Sequence, residues 1–331
     1  FARSSELRRG LQAGGASLEG PMFEGDFSAE IPESASRLVA MADEVDHPLW
    51  WEVDEKSQSV VRVRVPVAGR VAGIEDVGEI WVVHLEPSQL PRTLAKANPQ
   101  AETLLARLRE AEASRASVLL METDEHEIGD VAPAGEDDDR PFDGPPPGEA
   151  LEEIVPAPLP LPRVEQIFQK LQAAGCGPRP SGTTCIPFMY PDDGCWGRAH
   201  EMCRLIKAEG VEPQKAWVYG SLRTATRNNP SCAVQWGYHV AALLPVDKAG
   251  DYVLDPSMFD TPVPVAKWVS QQNGAMAEFR ATGGDVFFRP KSGSNLEYDP
   301  NFAKTKTVLN TYRLKQVERV MQKGPPPYQC P

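Results

Sequence analysis

The sequence predicts an α+β protein built from two unequal folded regions. In the first half, short segments with alternating apolar residues flank one amphipathic helix. An acidic, proline-rich run follows, which can neither fill a core nor continue regular structure. Beyond it, helical patterns precede longer apolar strands. We therefore predict a smaller acidic α+β domain at residues 1–135, a linker at 136–162 and a larger domain at 163–331.

The first region opens without clear periodicity. Residues 1–50 are rich in Gly, Ser, Ala and acids, so we expect them to be partly disordered. After them, alternating valines predict a strand, and the proline that follows Asn98 predicts a helix start. The predicted elements are strands at 59–68, 79–86 and 117–121 and a helix from 98 to about 111.

The linker joins four consecutive acids, Glu136 to Asp139, to a stretch that is rich in proline. This composition is typical of a stiff and solvated connector. The segment could be a simple tether. It could also be an activation site, because a protease can reach Arg140 in an exposed segment.

The second region combines helices with strands that are longer and more apolar. The stripe that starts at Val164 predicts a helix that Gly175 can end. Residues 305–322 are compatible with a strand, a helix or one followed by the other. The other predicted elements are a helix from Cys195, strands at 214–219, 233–244 and 252–254, a helix at 262–272 and a strand at 285–289.

Charge is divided unevenly between the two halves. Residues 1–150 hold 14 Lys+Arg and 30 Asp+Glu, whereas residues 151–331 hold 20 and 17. The acidic half is either simply well solvated or a module that docks on the other half. No clustered basic face is visible to neutralise phosphates, which argues against a nucleic-acid partner. No apolar run reaches about 18 residues, so no membrane span is predicted.

All six cysteines lie in the second half. Their spacing lacks the close pairs of a zinc ribbon or finger, so we expect no metal site. Cys176 and Cys185 bracket a short loop and are the best candidates for a local disulfide, which would suit an exported protein. A pair of reduced thiols is the alternative.

No signal peptide is visible after Phe1, so one was removed or was never included.

Cys195 is the best nucleophile candidate. It follows a turn-forming Pro-Asp-Asp-Gly segment and begins a run of apolar residues at helical spacing. Asp192 or Asp193 is the expected N-cap, and Gly210 is the expected stop. At a helix N-terminus the unpaired N–H groups and the dipole favour negative charge, so we expect this thiol to ionise easily.

His239 and Asp255 could supply the base and the orienting carboxylate that a thiol nucleophile needs. His239 lies in one predicted strand, and Asp255 directly follows the next. A tight turn at 247–250 would make these strands antiparallel neighbours, which brings the two side chains within hydrogen-bonding reach. Each residue also has an ordinary alternative role, as a core cysteine, a structural histidine or a turn-forming aspartate.

Four sequence blocks together resemble the bacterial protein-glutaminases, secreted enzymes that deamidate glutamine side chains in proteins. The blocks are Pro191-Asp-Asp-Gly-Cys-Trp-Gly-Arg-Ala-His200, Val218-Tyr-Gly-Ser-Leu222, Trp236-Gly-Tyr-His-Val240 and Leu254-Asp-Pro-Ser-Met-Phe259. The resemblance spans about residues 164–320 and implies a core like those of transglutaminases and papain-type cysteine hydrolases. It assigns Cys195, His239 and Asp255 as the catalytic residues.

More weakly, residues 60–131 resemble the family's inhibitory propeptide, and residues 140–160 resemble the junction where it is cut. The resemblance therefore implies a secreted zymogen that a protease activates. Cys195 would form a thioester with a protein or peptide glutamine and release ammonia, without a metal or organic cofactor.

Trp196 would either form a wall of the substrate slot or be a core residue. We expect His200 to be structural, and we expect Trp236 and Tyr238 to point to the strand face opposite His239.

Two other functions remain compatible with the residues. The same triad could serve a transglutaminase, which passes the thioester to a lysine amine, or a cysteine peptidase. Alternatively, the chain could be a secreted, disulfide-stabilised binding protein without a reactive thiolate.

Overall fold

The computed structural model describes residues 33–54, 59–135, 156–177, 185–229, 233–272, 277–291 and 296–328. These residues form helices and antiparallel sheets, so the predicted α+β class is confirmed. Most of the segment expected to be disordered and most of the predicted linker, residues 1–32 and 136–155, lie outside the described residues. No helix in the described part is long and apolar enough to cross a membrane.

The N-terminal region, residues 33–135, is centred on a five-stranded antiparallel sheet. Its elements are α1 (Glu33–Glu44), β1 (Trp50–Asp54), β2 (Ser59–Arg64), β3 (Val67–Val77), β4 (Ile80–Glu86), β5 (Arg92–Ala95), α2 (Ala101–Ser114), β6 (Ser117–Glu122) and β7 (Ile128–Pro133). The sheet order is β5-β4-β3-β6-β7. Leu104 and Leu108 of α2 lie in the core beneath the sheet. The strand predicted at 59–68 is divided at Pro66, which cannot donate a ladder hydrogen bond.

The second region, residues 156–328, is built on another five-stranded antiparallel sheet. Its elements are α3 (Leu161–Ala173), α4 (Cys195–Ala208), β8 (Gln214–Ala225), β9 (Ala233–Val246), β10 (Gly250–Leu254), β11 (Val263–Pro264), α5 (Val265–Gln271), β12 (Glu278–Gly283), β13 (Val286–Phe288), β14 (Glu297–Tyr298) and α6 (Thr305–Lys323). The sheet order is β11-β10-β9-β8-β12. The predicted disulfide between Cys176 and Cys185 is confirmed, and Cys203 is a buried free thiol. Cys232 and Cys330 lie outside the described residues.

Helix α4 lies in the core between the sheet and α6. Its apolar residues Ala199, Met202 and Ile206 are buried there. Gly197 allows α6 to approach closely, because a Cβ at this position would lie 2.4 Å from Cγ1 of Val308. The helix ends just before Gly210, which has a φ of +75°, as the sequence predicts.

Residues 305–322, which the sequence left undecided, lie in the single helix α6. Its apolar residues do not form one stripe, because the helix is buried on more than one side. Val308 and Tyr312 belong to the core of the second region, whereas Leu314 and Val317 belong to a smaller core shared with α1. One helix therefore packs against both regions.

Helix α1 was not predicted: it lies within the segment 1–50 that was expected to be partly disordered. Its buried residues Ala35, Leu38 and Ala42 do recur at helical spacing. The surrounding Ser and acidic residues concealed this short pattern, and the apolar partners of the helix come from other elements, β1, β2 and α6.

Candidate active site

The chain turns sharply at Gly194, which makes Cys195 the first residue of α4. Gly194 has a φ of +80°, and a Cβ there would lie 2.3 Å from the ring of Tyr312. Only glycine satisfies both the backbone conformation and the available space. Arg198 stabilises the turn by donating from Nη1 to the carbonyl oxygens of Tyr190 and Asp193.

Neither Asp192 nor Asp193 caps α4, so that prediction is wrong: Gly194 occupies the N-cap position. Asp193 accepts the N–H of Gly194 with Oδ1 and a hydrogen bond from Arg92 with Oδ2, at 3.0 Å. Asp192 accepts a hydrogen bond from Arg319. Both carboxylates are therefore used in ionic contacts and not in helix capping.

His239 and Asp255 are hydrogen-bonded across the β9–β10 hairpin. The register pairs Leu254 with Ala242, and the distance between His239 Nε2 and Asp255 Oδ2 is 2.8 Å. Trp268 Nε1 donates to the same carboxylate oxygen at 3.0 Å. Burial alone would raise the pKa of Asp255, but His239 and these hydrogen bonds outweigh it and lower the pKa. The carboxylate is therefore charged and held in place beside the imidazole.

Two indole rings enclose His239. Trp236 stacks on the imidazole with ring centroids 4.3 Å apart, and Trp268 lies on it at 5.5 Å. The sequence placed Trp236 on the opposite strand face, which is wrong, because the register of β8 and β9 shifts between Tyr219 and Leu222, opposite Gly237, and interrupts the simple alternation. Tyr238 instead contacts the ring of Trp217, on the other side of the strand, as expected.

The Cys195 thiol faces the strand that carries His239. The backbone N–H of Val240, the next residue, is placed to stabilise its thiolate form. His239 Nδ1 is buried and has no hydrogen-bond partner among the described residues, so this nitrogen is free to accept a proton. Complete burial nevertheless raises the pKa of Cys195 above its ordinary value, although the charge of Arg198 acts to lower it. The expectation of an easily ionised thiol is therefore wrong for the intact chain, because burial outweighs the helix terminus.

Gln89 of the N-terminal region covers the thiol. It belongs to the inserting loop, residues 87–91, which connects β4 to β5. Cys195 Sγ donates to Gln89 Oε1 at 3.1 Å, and Gln89 Nε2 donates to the carbonyl oxygen of Asp192 at 3.3 Å. The backbone N–H of Gly237 donates to the Gln89 carbonyl oxygen at 2.8 Å. Sequence reasoning missed Gln89, since flanking prolines mark a loop but do not reveal what the loop contacts.

The rest of the inserting loop is fixed to the same site. Ser88 donates to Asp193 Oδ2 at 2.7 Å, and the Tyr238 hydroxyl donates to the carbonyl oxygen of Pro87. Gln89 is only 3% exposed. The loop therefore occupies the space directly above the thiol and blocks another protein or peptide from it.

A buried ion cluster extends from this site along the interface of the two regions. Arg92 donates from Nε to Glu122 at 2.7 Å as well as to Asp193. His126 lies 3.5 Å from Asp192 and 3.6 Å from Glu122. Burial opposes the charged form of each group, but the opposite charges prevail. The pKa of Glu122 is held well below its ordinary value, and that of His126 rises to about 9.

Helix α6 supplies cations to the acidic N-terminal region. Lys315 Nζ lies 3.3 Å from Glu122, and Arg319 Nε lies 3.1 Å from Asp124. Lys323 contacts Asp124 as well. These pairs favour docking over simple solvation as the reason for the uneven charge of the two halves.

Two other residues named from the sequence lie outside this constellation. Trp196 is buried with its ring edge-to-face against Tyr312, at 5.6 Å, and its role as a slot wall stays a prediction. His200 is fully buried between Asp299, 3.2 Å from its Nε2, and Lys215, 2.7 Å from its Nδ1. Burial and the charge of Lys215 lower the pKa of His200 to about 4, which suits the structural role expected for it.

Comparisons with known proteins agree with this arrangement. The glutaminase family model matches residues 164–272. The crystal structure of a pro-protein-glutaminase is 25% identical and covers 75% of this chain and 92% of that chain, with a TM-score of 0.56. The crystal structure of a mutant pro-protein-glutaminase is 27% identical and covers 74% and 90%, with a TM-score of 0.54.

The NMR structure of the protein-glutaminase from Chryseobacterium proteolyticum is 31% identical and covers 45% of this chain and 84% of that chain, with a TM-score of 0.40. No curated protein sequence matches. The family match and the two pro-form structures show that this chain belongs to the protein-glutaminase family and has the organisation of its pro-form. The predicted fold class, a transglutaminase-like core with a smaller N-terminal α+β region, is confirmed.

We expect His126 to make stability depend on pH above neutrality. Its pKa is about 9 in the folded chain and 6.5 ordinarily, so its charge stabilises the fold fully below about pH 6.5. That contribution is lost as the pH rises through about 9, and it amounts to at most about 3 kcal/mol. His126→Gln should lower the free energy of unfolding in urea at about pH 6 much more than at about pH 10.

The matched control for this measurement is His84→Gln. The side chain of His84 is 44% exposed beside Glu75, so its replacement should change stability little at either pH. Equal losses for His126→Gln at both pH values would contradict the assigned role of its charge.

Proposed function

We propose that this chain is the zymogen of an enzyme that converts protein- or peptide-bound glutamine to glutamate and ammonia. The observation that carries the proposal is a carboxamide, that of Gln89, hydrogen-bonded to a buried thiol beside a His–Asp pair. The membership of the protein-glutaminase family supports the same reaction. In this proposal Cys195 is the nucleophile, His239 the general base and acid, and Asp255 the orienting group.

The first half-reaction would form a thioester. His239 accepts the thiol proton on Nδ1, because Asp255 engages Nε2. The sulfur bonds to the carboxamide carbon as the bond to nitrogen breaks, and His239 returns the proton to the departing ammonia. The backbone N–H of Cys195, at the start of α4, is a candidate donor to the developing oxyanion.

The second half-reaction would hydrolyse the thioester. His239 removes a proton from water, which attacks the acyl carbon and releases glutamate, and the thiol recovers its proton. Asp255 stabilises the imidazolium in both steps. Trp236 and Trp268 stack on the imidazole and keep its ring in a fixed orientation. Proton transfer and acyl transfer require only these side chains, so no cofactor enters the proposal.

The N-terminal region is proposed to act as the mask. Its inserting loop fills the space above Cys195, and its acidic residues pair with cations of α6. Because residues 33–135 and 156–328 are joined by the acidic linker, a protease that cuts there would turn a covalent mask into a dissociable one. The substrates would be proteins or peptides, with no nucleic-acid or membrane partner.

We also propose that the enzyme is secreted. The disulfide between Cys176 and Cys185 supports this location, because disulfides persist mainly in oxidising compartments. The mature chain would then meet its activating protease and its substrates outside the cell.

Cutting the linker should activate the enzyme. We expect ammonia release from a glutamine peptide to rise at least about tenfold after limited proteolysis between residues 140 and 160, because the thiol becomes accessible. The nicked Cys195→Ala chain should release none. Equal release before and after nicking would contradict masking, and lysine crosslinks or backbone cleavage would indicate a transglutaminase or a peptidase instead.

Removing the charge of Asp255 should slow the reaction. Asp255→Asn disturbs the imidazole tautomer and should lower kcat of the nicked enzyme by about 10²- to 10⁴-fold. The matched control is Asp251→Asn, because Asp251 is exposed on the same strand, β10. The control should keep full activity, and an equally active Asp255→Asn enzyme would rule out the proposed role of Asp255.

A further inference from the structure

Gln89 contacts the active site as a glutamine substrate would. The thiol donates to its Oε1, and its Nε2 donates to the carbonyl oxygen of Asp192. Its backbone is held by the N–H of Gly237. The oxygen and the nitrogen of the carboxamide and the main chain of Gln89 therefore all form hydrogen bonds with the site. A side chain that only blocked the site would need no such bonds.

The carboxamide is also of the chemical type on which the proposed enzyme acts. Its carbon is bonded to Oε1, which accepts a hydrogen bond from the Cys195 thiol at 3.1 Å, so the group to be attacked already touches the thiol. The base nitrogen, Nδ1 of His239, has no competing partner among the described residues. The intact chain thus holds a nucleophile, a base and a glutamine side chain together.

We propose that Gln89 is the first substrate of this enzyme and that Cys195 of the same chain converts it to glutamate while the N-terminal region is still attached. The inference rests on the proposed deamidase function. The Cys195 sulfur bonds to the Gln89 side-chain carbonyl carbon, the carbon–nitrogen bond breaks, and ammonia leaves with the proton delivered by His239. Water then bonds to that carbon, the carbon–sulfur bond breaks, and the thiol is restored.

The product would fit the site less well than the substrate. A carboxylate at position 89 has no N–H to donate to the carbonyl oxygen of Asp192. It would also be buried near Asp193, whose charge already needs Arg92. Conversion of Gln89 would therefore loosen the inserting loop and prepare the mask for release.

Peptide mapping of the full-length chain tests the conversion directly. Trypsin releases residues 71–92, a peptide in which Gln89 is the only Gln and Asn is absent, so a mass change reports on this residue alone. In the purified intact chain we expect this peptide to gain about 1 Da with first-order kinetics that do not depend on protein concentration. In water enriched in oxygen-18 the gain should be about 3 Da.

Two controls separate self-conversion from other events. The Cys195→Ala chain should keep its original peptide mass. The tryptic peptide of residues 164–170 contains the exposed Gln166 and Gln169 and no Asn, and it should not change in the intact chain. Its conversion at the same rate as Gln89 would indicate reaction between molecules and would overturn the proposal.

The remaining outcomes each decide the question. An unchanged mass at Gln89 overturns the proposal. So does a stable loss of about 17 Da from the mass of the intact chain, which would mark a Gln89–Cys195 thioester that water does not reach. The nicked enzyme is assayed in parallel on a glutamine peptide. If it releases ammonia while Gln89 stays unchanged, only the further inference fails, whereas inactivity in both assays removes the proposed function as well.

Substitution of Gln89 tests whether the product loosens the mask. Gln89→Glu places the reaction product in the slot, and Gln89→Met fills the same space with a neutral side chain. We expect iodoacetamide to modify Cys195 of the intact Gln89→Glu chain at least about tenfold faster than in Gln89→Met. Equal rates would show that the product does not open the site.

Discussion

A single hydrogen bond, from the Cys195 thiol to the Gln89 carboxamide, connects the structure to its function. It exists because α4 delivers the thiol through a turn that only glycine can make, and because the inserting loop reaches the site from the other region. Complete burial of the thiol at this contact raises its pKa, so Cys195 is protonated in the intact chain. The same contact places a glutamine carboxamide, the group on which the proposed enzyme acts, against the thiol.

The surrounding electrostatics hold this contact in place. Asp192 and Asp193, shortly before Cys195, accept hydrogen bonds from the inserting loop or from the ion cluster instead of capping α4. Helix α6 completes the arrangement: Tyr312 packs against Gly194, while Lys315 and Arg319 pair with acids of the N-terminal region. The elements that surround Cys195 are thus also those that bind the N-terminal region, so the proposed mask and the proposed active site share the same contacts.

Much of the fold was readable from local patterns. The alternation at 79–86 and 117–121 and the leucine stripe of α2 led to elements close to those observed, since each presents one apolar face to one core. Local sequence patterns did not predict elements that are buried on more than one side or whose partners lie far away in the chain. Helix α6 is buried on two sides, and α1 packs in a core shared with β1, β2 and α6. The register shift of β8 opposite Gly237 brings Trp236 onto His239.

By itself, the sequence determined the α+β class, the family resemblance, the disulfide between Cys176 and Cys185, and the hairpin that joins His239 to Asp255. These depend on residue order, turn chemistry and short-range register. Only the tertiary structure decided that Gln89 lies on Cys195, which is 106 residues away, and that burial suppresses ionisation of the thiol. Contacts between distant segments and the loss of solvent are properties of the assembled chain, and no local pattern encodes them.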